Sequence, residues 1–361
     1  MSDYQGQPIL SVQNVTVGFQ TKRGIAKAVD GVSFDVHRGE VYGLAGESGS
    51  GKSTIALAVL RLIEEPGKIL SGKILYDGQN VLDFDDSQLR AYRWSKVSMV
   101  FQGAMNSFNP VMKIGEQLVD AITAHSNMSL EDAQKRAQEL LEMVGIDKIF
   151  VNRYPFELSG GMKQRAMIAM ALILNPPLLI ADEPTTSIDV IRQVEILKLL
   201  KNLQSKFGLS MIYITHDLSL MAAIADRIGI LYAGKLVEEG PVDEIYERPA
   251  HPYTKLLLQS IPKLEGESSI IGIPGQPPNP LSYPSGCRFH PRCPFAMNIC
   301  VDEEPVLKEV SGEPPPEISG DRQNYGVGPS HRVACFLWDK ASAGAYDTRF
   351  TPVKRIDQKV D

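Results

Sequence analysis

Eight residues constrain this chain more than any others. Gly46-Glu47-Ser48-Gly49-Ser50-Gly51-Lys52-Ser53 fits the pattern G-x-x-x-x-G-K-[ST]. That pattern works between a strand and a helix, where glycines let successive backbone amides wrap a polyphosphate and the helix N-terminus adds a favourable dipole. The flanks predict that context: Glu40 to Gly46 reads as an apolar strand, and Lys52 to Ile63 as a helix stopped by Pro66-Gly67. Within the loop and the first helical turn, which includes Thr54, Lys52 is placed to reach the β- and γ-phosphates and the Ser53 hydroxyl to ligate Mg²⁺.

Hydrolysis needs a second half-site. Leu178-Leu179-Ile180-Ala181-Asp182-Glu183 reads as a buried strand ending in two carboxylates. Asp182 is the candidate for holding Mg²⁺ through water, and Glu183 for polarising an attacking water.

The rest of the pattern is α/β. Early strands are expected at Ile9 to Val17 and Ala28 to Val36, and further ones at Val97 to Gln102, Met211 to Thr215 and Arg227 to Tyr232. Helices are expected at Gly115 to His125, Leu130 to Val144 (capped by Ser129), Gly160 to Leu174 and Val190 to Phe207. Strands, then a helical block, then strands alternating with helices imply an α/β core with a helical insertion over about residues 106–165. The 361 residues suffice for one large domain and one small one. A net charge of −6 gives no general attraction to nucleic acid, so no nucleic-acid partner is expected. No signal peptide and no apolar run of about 20 residues is seen, so the chain is expected in the cytosol or at its membrane surface.

Between the two phosphate motifs stands Leu158-Ser159-Gly160-Gly161-Met162-Lys163-Gln164-Arg165, at face value a helix N-cap with a cluster of free amides. At this position it resembles the signature motif of the ATP-binding-cassette (ABC) ATPases. Gln102 resembles the glutamine of that family's Q-loop, Thr186-Ser187-Ile188-Asp189 its D-loop, His216 its switch histidine, and Phe19 the aromatic that stacks on adenine. The resemblance implies an ABC-type P-loop ATPase over residues 8–260, with a RecA-like core, an antiparallel β-subdomain and a helical subdomain. It also implies ATP and Mg²⁺ as ligands, with Ser53, Gln102 and Asp182 around the metal and Glu183, Gln102 and His216 as catalytic groups. Two cassettes would close head to tail, placing Ser159, Gly160, Gly161 and Asp189 of one against the Lys52 loop of the other.

Glu247-Arg248-Pro249-Ala250-His251-Pro252-Tyr253-Thr254-Lys255-Leu256-Leu257 resembles the segment that follows the cassette in oligopeptide and dipeptide importer ATPases. So do Ile273-Pro274-Gly275-Gln276-Pro277-Pro278 and Gly286-Cys287-Arg288-Phe289-His290-Pro291-Arg292-Cys293-Pro294. This implies a second, non-identical ATPase subunit, two integral-membrane permease subunits, an extracellular solute-binding protein, and a place on the cytoplasmic face of the membrane. Related importers carry oligosaccharides or nickel, and a soluble ABC ATPase without a transport role is the alternative of a different class.

All four cysteines, Cys287, Cys293, Cys300 and Cys335, follow a proline-rich linker at 261–286, and none precedes them. They define an expected irregular metal-binding domain at 287–338, before a polar tail at 339–361. The spacing Cys-x5-Cys-x6-Cys lacks the close pairs of structural zinc sites and suits a [4Fe–4S] cluster. Zn²⁺, with His290 or His331 substituting as a ligand, and disulfides or free thiols remain the alternatives.

Overall fold

The computed structural model describes residues 6–103, 107–186, 188–261, 272–312, 315 and 327–339. Ser187, the linker over 262–271 and the tail beyond Asp339 lie outside the described residues. The chain opens with two long strands, β1 (Leu10–Thr21) and β2 (Gly24–Val36), followed by β3 (Val41–Ala45) and α1 (Lys52–Val59). Next come β4 (Gly67–Tyr76), β5 (Gln79–Asn80), α2 (Asp86–Tyr92) and β6 (Val97–Val100). The strands β2-β1-β4-β5 form an antiparallel sheet in that order.

Helix α1 ends at Val59, four residues before the expected Ile63. Arg61 adopts a positive φ of 50°, and α2 with its flank takes up the carbonyls this frees. Tyr92 Oη donates to the Val59 carbonyl at 3.1 Å, and Arg93 donates to those of Leu60 and Arg61 at 3.0 and 2.7 Å. The side chains thus satisfy a helix C-terminus that has no intrahelical partners of its own.

The helical insertion contains α3 (Ile114–His125), α4 (Leu130–Met143) and α5 (Gly160–Ala171). Leu118, Ile122, Ala137, Leu140, Leu141 and Ile168 from these helices enter the main core. Ser129 caps α4 by accepting from the Asp132 amide at 3.1 Å.

The core strands β7 (Leu178–Asp182), β8 (Ser210–Ile214) and β9 (Arg227–Tyr232) are separated by α6 (Val190–Phe207) and α7 (Leu218–Ile224). With β3 and β6 they run parallel in the order β9-β3-β8-β7-β6. All five residues of β3, β7 and β8 are buried, as expected of parallel strands covered on both faces.

The C-terminal segment is sewn into this same sheet. After β10 (Lys235–Pro241), α8 (Val242–Glu247), α9 (Pro252–Gln259) and α10 (Asn298–Asp302) come β11 (Lys308–Gly312) and β12 (Val327–Val333). Strand β12 pairs antiparallel with β10, extending the sheet to eight strands. The pairing answers a local need, because Glu238 and Glu239 of β10 are buried carboxylates that require partners. His331 lies 2.6 Å from Glu238, and Arg332 Nε donates to Glu239 at 2.7 Å. A small apolar cluster including Ile299, Cys300, Val333, Leu337 and Trp338 completes the segment.

Candidate active site

The phosphate loop leaves the C-terminal end of β3, which lies between β8 and β9. Two of its glycines are obligatory. Gly46 has φ 145°, and a Cβ there would meet the Leu231 carbonyl oxygen at 2.1 Å. Gly51, at φ 104°, would bring a Cβ to 2.4 Å from the Ala28 carbonyl oxygen. The eight-residue α1 starts immediately after Gly51, so its N-terminus faces into the loop. Lys52 is buried and turned back on the loop, donating to the carbonyls of Gly46 and Glu47 at 2.8 and 3.0 Å. Burial pushes its pKa down, opposed by the negative charges of Glu183, Asp182 and Glu47.

Asp182 closes β7 and is buried. Burial holds its carboxyl above the usual range, against the opposing pull of the Ser53 hydroxyl. Among the described residues its Oδ1 has no hydrogen-bond partner. A buried carboxylate oxygen without a partner, facing a loop serine, fits a divalent cation held between Ser53 and Asp182.

Glu183, the next residue, takes a positive φ of 46° and is the hub of the site. Its carboxylate accepts from Gln102 Nε2 at 2.8 Å and from Thr186 Oγ1 at 2.9 Å, and lies 3.0 Å from His216 Nδ1. The sheet explains the convergence. Gln102, Glu183 and His216 follow the C-terminal ends of β6, β7 and β8, three adjacent parallel strands. Burial raises the Glu183 pKa, but the bonds from His216 and Thr186 outweigh it and leave the carboxyl below its ordinary value. A carboxylate that stays ionised and exchanges hydrogen bonds with an imidazole is equipped to accept a proton from water.

The other candidate residues lie apart from this hub. Ser159 caps α5 and Asp189 caps α6, accepting from the amides of Met162 at 3.4 Å and Arg192 at 3.1 Å. The Arg192 side chain reaches both caps, pairing with Asp189 at 3.1 Å and approaching Ser159 Oγ at 3.5 Å. Ser159 and Gly160 are exposed, whereas Gly161 is buried beside Arg192. Among the described residues no hydrogen bond or ion pair joins Ser159–Gly161 to the phosphate loop. Phe19 stands on β1 opposite Gly67, where the absent side chain leaves room for its ring. Sequence reasoning placed Thr186 in the D-loop resemblance but missed it as a partner of Glu183, although its position three residues on is a usable signal.

The four cysteines are free thiols lining one narrow cleft with about 10 Å³ of open space, together with Phe289, His290 and Phe336. Burial pushes the Cys287 and Cys293 thiols up to about 12, and Cys300 and Cys335 are raised for the same reason. Among the described residues, no three His, Cys, Asp or Glu side chains stand in a metal-ligating arrangement. Among them, too, no helix is long and apolar enough to cross a membrane.

Residues 29–186 match the ABC transporter family, and residues 237–300 match the oligopeptide/dipeptide transporter C-terminal region. The chain is 46% identical to the oligopeptide transport ATP-binding protein OppD of Bacillus subtilis, over 84% of this chain and 86% of that protein. It is 45% identical to the AppD protein of the same organism, over 93% of this chain and 98% of that one. The dipeptide transport ATP-binding protein DppD of Caldanaerobacter subterraneus is 42% identical over 84% of this chain and 94% of its own length. Among solved structures, the dimeric post-hydrolysis state of the ATP-binding cassette MJ0796 bound to ADP and Pi matches with a TM-score of 0.59 at 32% identity, covering 64% of this chain and 98% of that one. The chain belongs to the family of ABC-transporter ATPase subunits of oligopeptide and dipeptide importers.

Proposed function

We propose that this chain hydrolyses ATP to drive oligopeptide or dipeptide import, with Glu183 as the base that activates water. The observation that carries the reading is the set of bonds on Glu183 from Gln102, Thr186 and His216, one residue from a buried aspartate with an unpartnered oxygen. The loop Gly46–Ser53 binds the phosphates through its amides, and Lys52 exchanges its carbonyl partners for phosphate oxygens. Ser53, Asp182 and Gln102 are the residues that would hold Mg²⁺, which would supply charge neutralisation on the phosphates. His216 orients Glu183 and takes part in moving the proton.

Phe19 contributes to the adenine site, and the exposed Ser159–Gly160 turn with Asp189 supplies the face that closes on a second cassette. That cassette is a non-identical sibling, and the pair works beneath two permease subunits fed by an extracellular solute-binding protein. The chain is thereby held at the cytoplasmic face of the membrane. Expression with its genomic neighbours and purification from detergent-solubilised membranes tests this: two multi-span proteins should co-purify, and their consistent absence would overturn the transport assignment.

For the cysteine cleft we propose a [4Fe–4S] cluster that staples residues 287–338. Convergence of four thiols and no other sulfur on one cleft supports it. Anaerobically purified protein should carry about four irons and four sulfides per chain. Stoichiometric zinc without iron would overturn the cluster.

A further inference from the structure

Two segments outside the cassette motifs meet at one residue of the phosphate loop. Glu47 is the second residue of the loop, and its carboxylate is gripped by Arg292, whose Nη1 and Nη2 donate to its two oxygens at 2.6 and 3.0 Å. Arg292 lies between Cys287 and Cys293 and is 6% exposed. Its guanidinium also donates to Tyr232 Oη at 3.2 Å and to the Pro274 carbonyl at 2.7 Å, so a strand of the core and the proline-rich strap hold it in place. Tyr253 of α9, itself fully buried, accepts from the Glu47 amide at 2.9 Å. Rings of Tyr232, Tyr253 and Phe289 pack at centroid distances of 4.6–5.3 Å behind this contact. On the other side of the same turn, Arg288 pairs with Asp30 and donates to the Ala233 carbonyl, while the next residue, Gly234, donates its amide to the Ser50 carbonyl of the loop at 3.0 Å.

The electrostatics give this grip a purpose. A carboxylate in a loop that must accept a polyphosphate opposes binding unless its charge is cancelled. A planar bidentate guanidinium cancels it and fixes the loop's direction at once, which a lysine point charge does not. We infer that Arg292 is a positioning residue for ATP binding: acting through Glu47, it neutralises and orients the phosphate loop, and so makes the loop's geometry depend on the cysteine-bearing turn. Arg292 makes no contact with nucleotide in this scheme. Its effect falls on affinity rather than on the chemical step.

The inference rests on Gly46–Ser53 being the ATP phosphate loop. Were that reading wrong, the unmutated chain would itself bind no nucleotide, which separates the two failures. The test is the ATP affinity and steady-state hydrolysis of the full chain carrying R292Q, E47Q or both. R292Q should weaken ATP binding about tenfold, raising KM while kcat at saturating ATP stays within about twofold. Adding E47Q should restore most of the affinity, because the uncancelled carboxylate is then gone. A chain in which R292Q costs as much alongside E47Q as it does alone, or costs nothing, overturns the inference. If R292Q does not fold, R292K takes its place, with about a threefold loss of affinity expected and an unchanged affinity contradicting the inference.

Discussion

Nδ1 of His216 stands 3.0 Å from a carboxylate oxygen of Glu183, each residue following one of two neighbouring parallel strands. The pairing helps to keep the Glu183 carboxyl ionised. Burial alone raises the Glu183 pKa, and the bond from His216 is the largest influence pulling it back below the ordinary value.

Loss of that bond has a signed consequence. A carboxyl with a depressed pKa stays ionised as pH falls through the usual carboxylate range. In His216→Ala the acid limb of the hydrolysis profile should therefore move to higher pH, together with a fall in the plateau rate of about 10²-fold or more. Profiles of kcat against pH for the two proteins check this. An acid limb that does not move would show that His216 leaves the Glu183 proton affinity unchanged.

Asp182 invites the opposite trade. Its buried carboxyl is held above the usual range, with one oxygen unpartnered, so the nucleotide-free protein bears a desolvation cost. Asp182→Asn should melt at or slightly above the unmutated protein without nucleotide, a gain on the order of 1 kcal/mol. The same variant should lose the Mg²⁺ dependence of its ATP binding. Calorimetry with and without Mg²⁺ measures both effects.

His331 governs the seam between the cassette and its extension. It is fully buried, 2.6 Å from Glu238 and 3.3 Å from Glu244. Burial lowers its pKa, but the two carboxylates more than reverse this and leave it raised. A raised histidine pKa contributes stability that is complete below the ordinary value of 6.5 and is lost as pH rises through the native value. The melting-temperature difference between the unmutated protein and His331→Gln should thus be largest in mild acid, equivalent to roughly 3 kcal/mol. It should narrow with increasing pH. A difference that stays flat or widens with pH would contradict the ion pair.

What the sequence made legible follows from range. Helix α6 spans the expected Val190 to Phe207 because its start and stop signals are local: Asp189 caps its N-terminus and Gly208 ends it at φ 62°. The C-terminus of α1 was not legible, since it depends on Tyr92 and Arg93 reaching back over thirty residues. Strand β4 escaped notice because Gly72 and the surrounding polar residues break its alternation; it forms by pairing with β1. The pairing of β12 with β10 joins residues nearly a hundred apart, where it brings His331 and Arg332 to the buried Glu238 and Glu239. Within the site, Asp182 and Glu183 could be read from an apolar run ending in carboxylates. The grip of Arg292 on Glu47 spans 245 positions, and no local pattern announces it.

In the proposed mechanism Glu183 is the base that activates water for ATP hydrolysis at a composite site. Glu183→Gln keeps the size and most hydrogen-bonding capacity of the side chain and removes only its basicity. The decisive measurement is single-turnover hydrolysis alongside ATP-dependent association, on the same purified protein with its sibling cassette. The variant should bind ATP with near-normal affinity, accumulate as a closed cassette pair and hydrolyse ATP about 10²–10⁴-fold more slowly. Hydrolysis at the unmutated rate would contradict the role of Glu183 as the base.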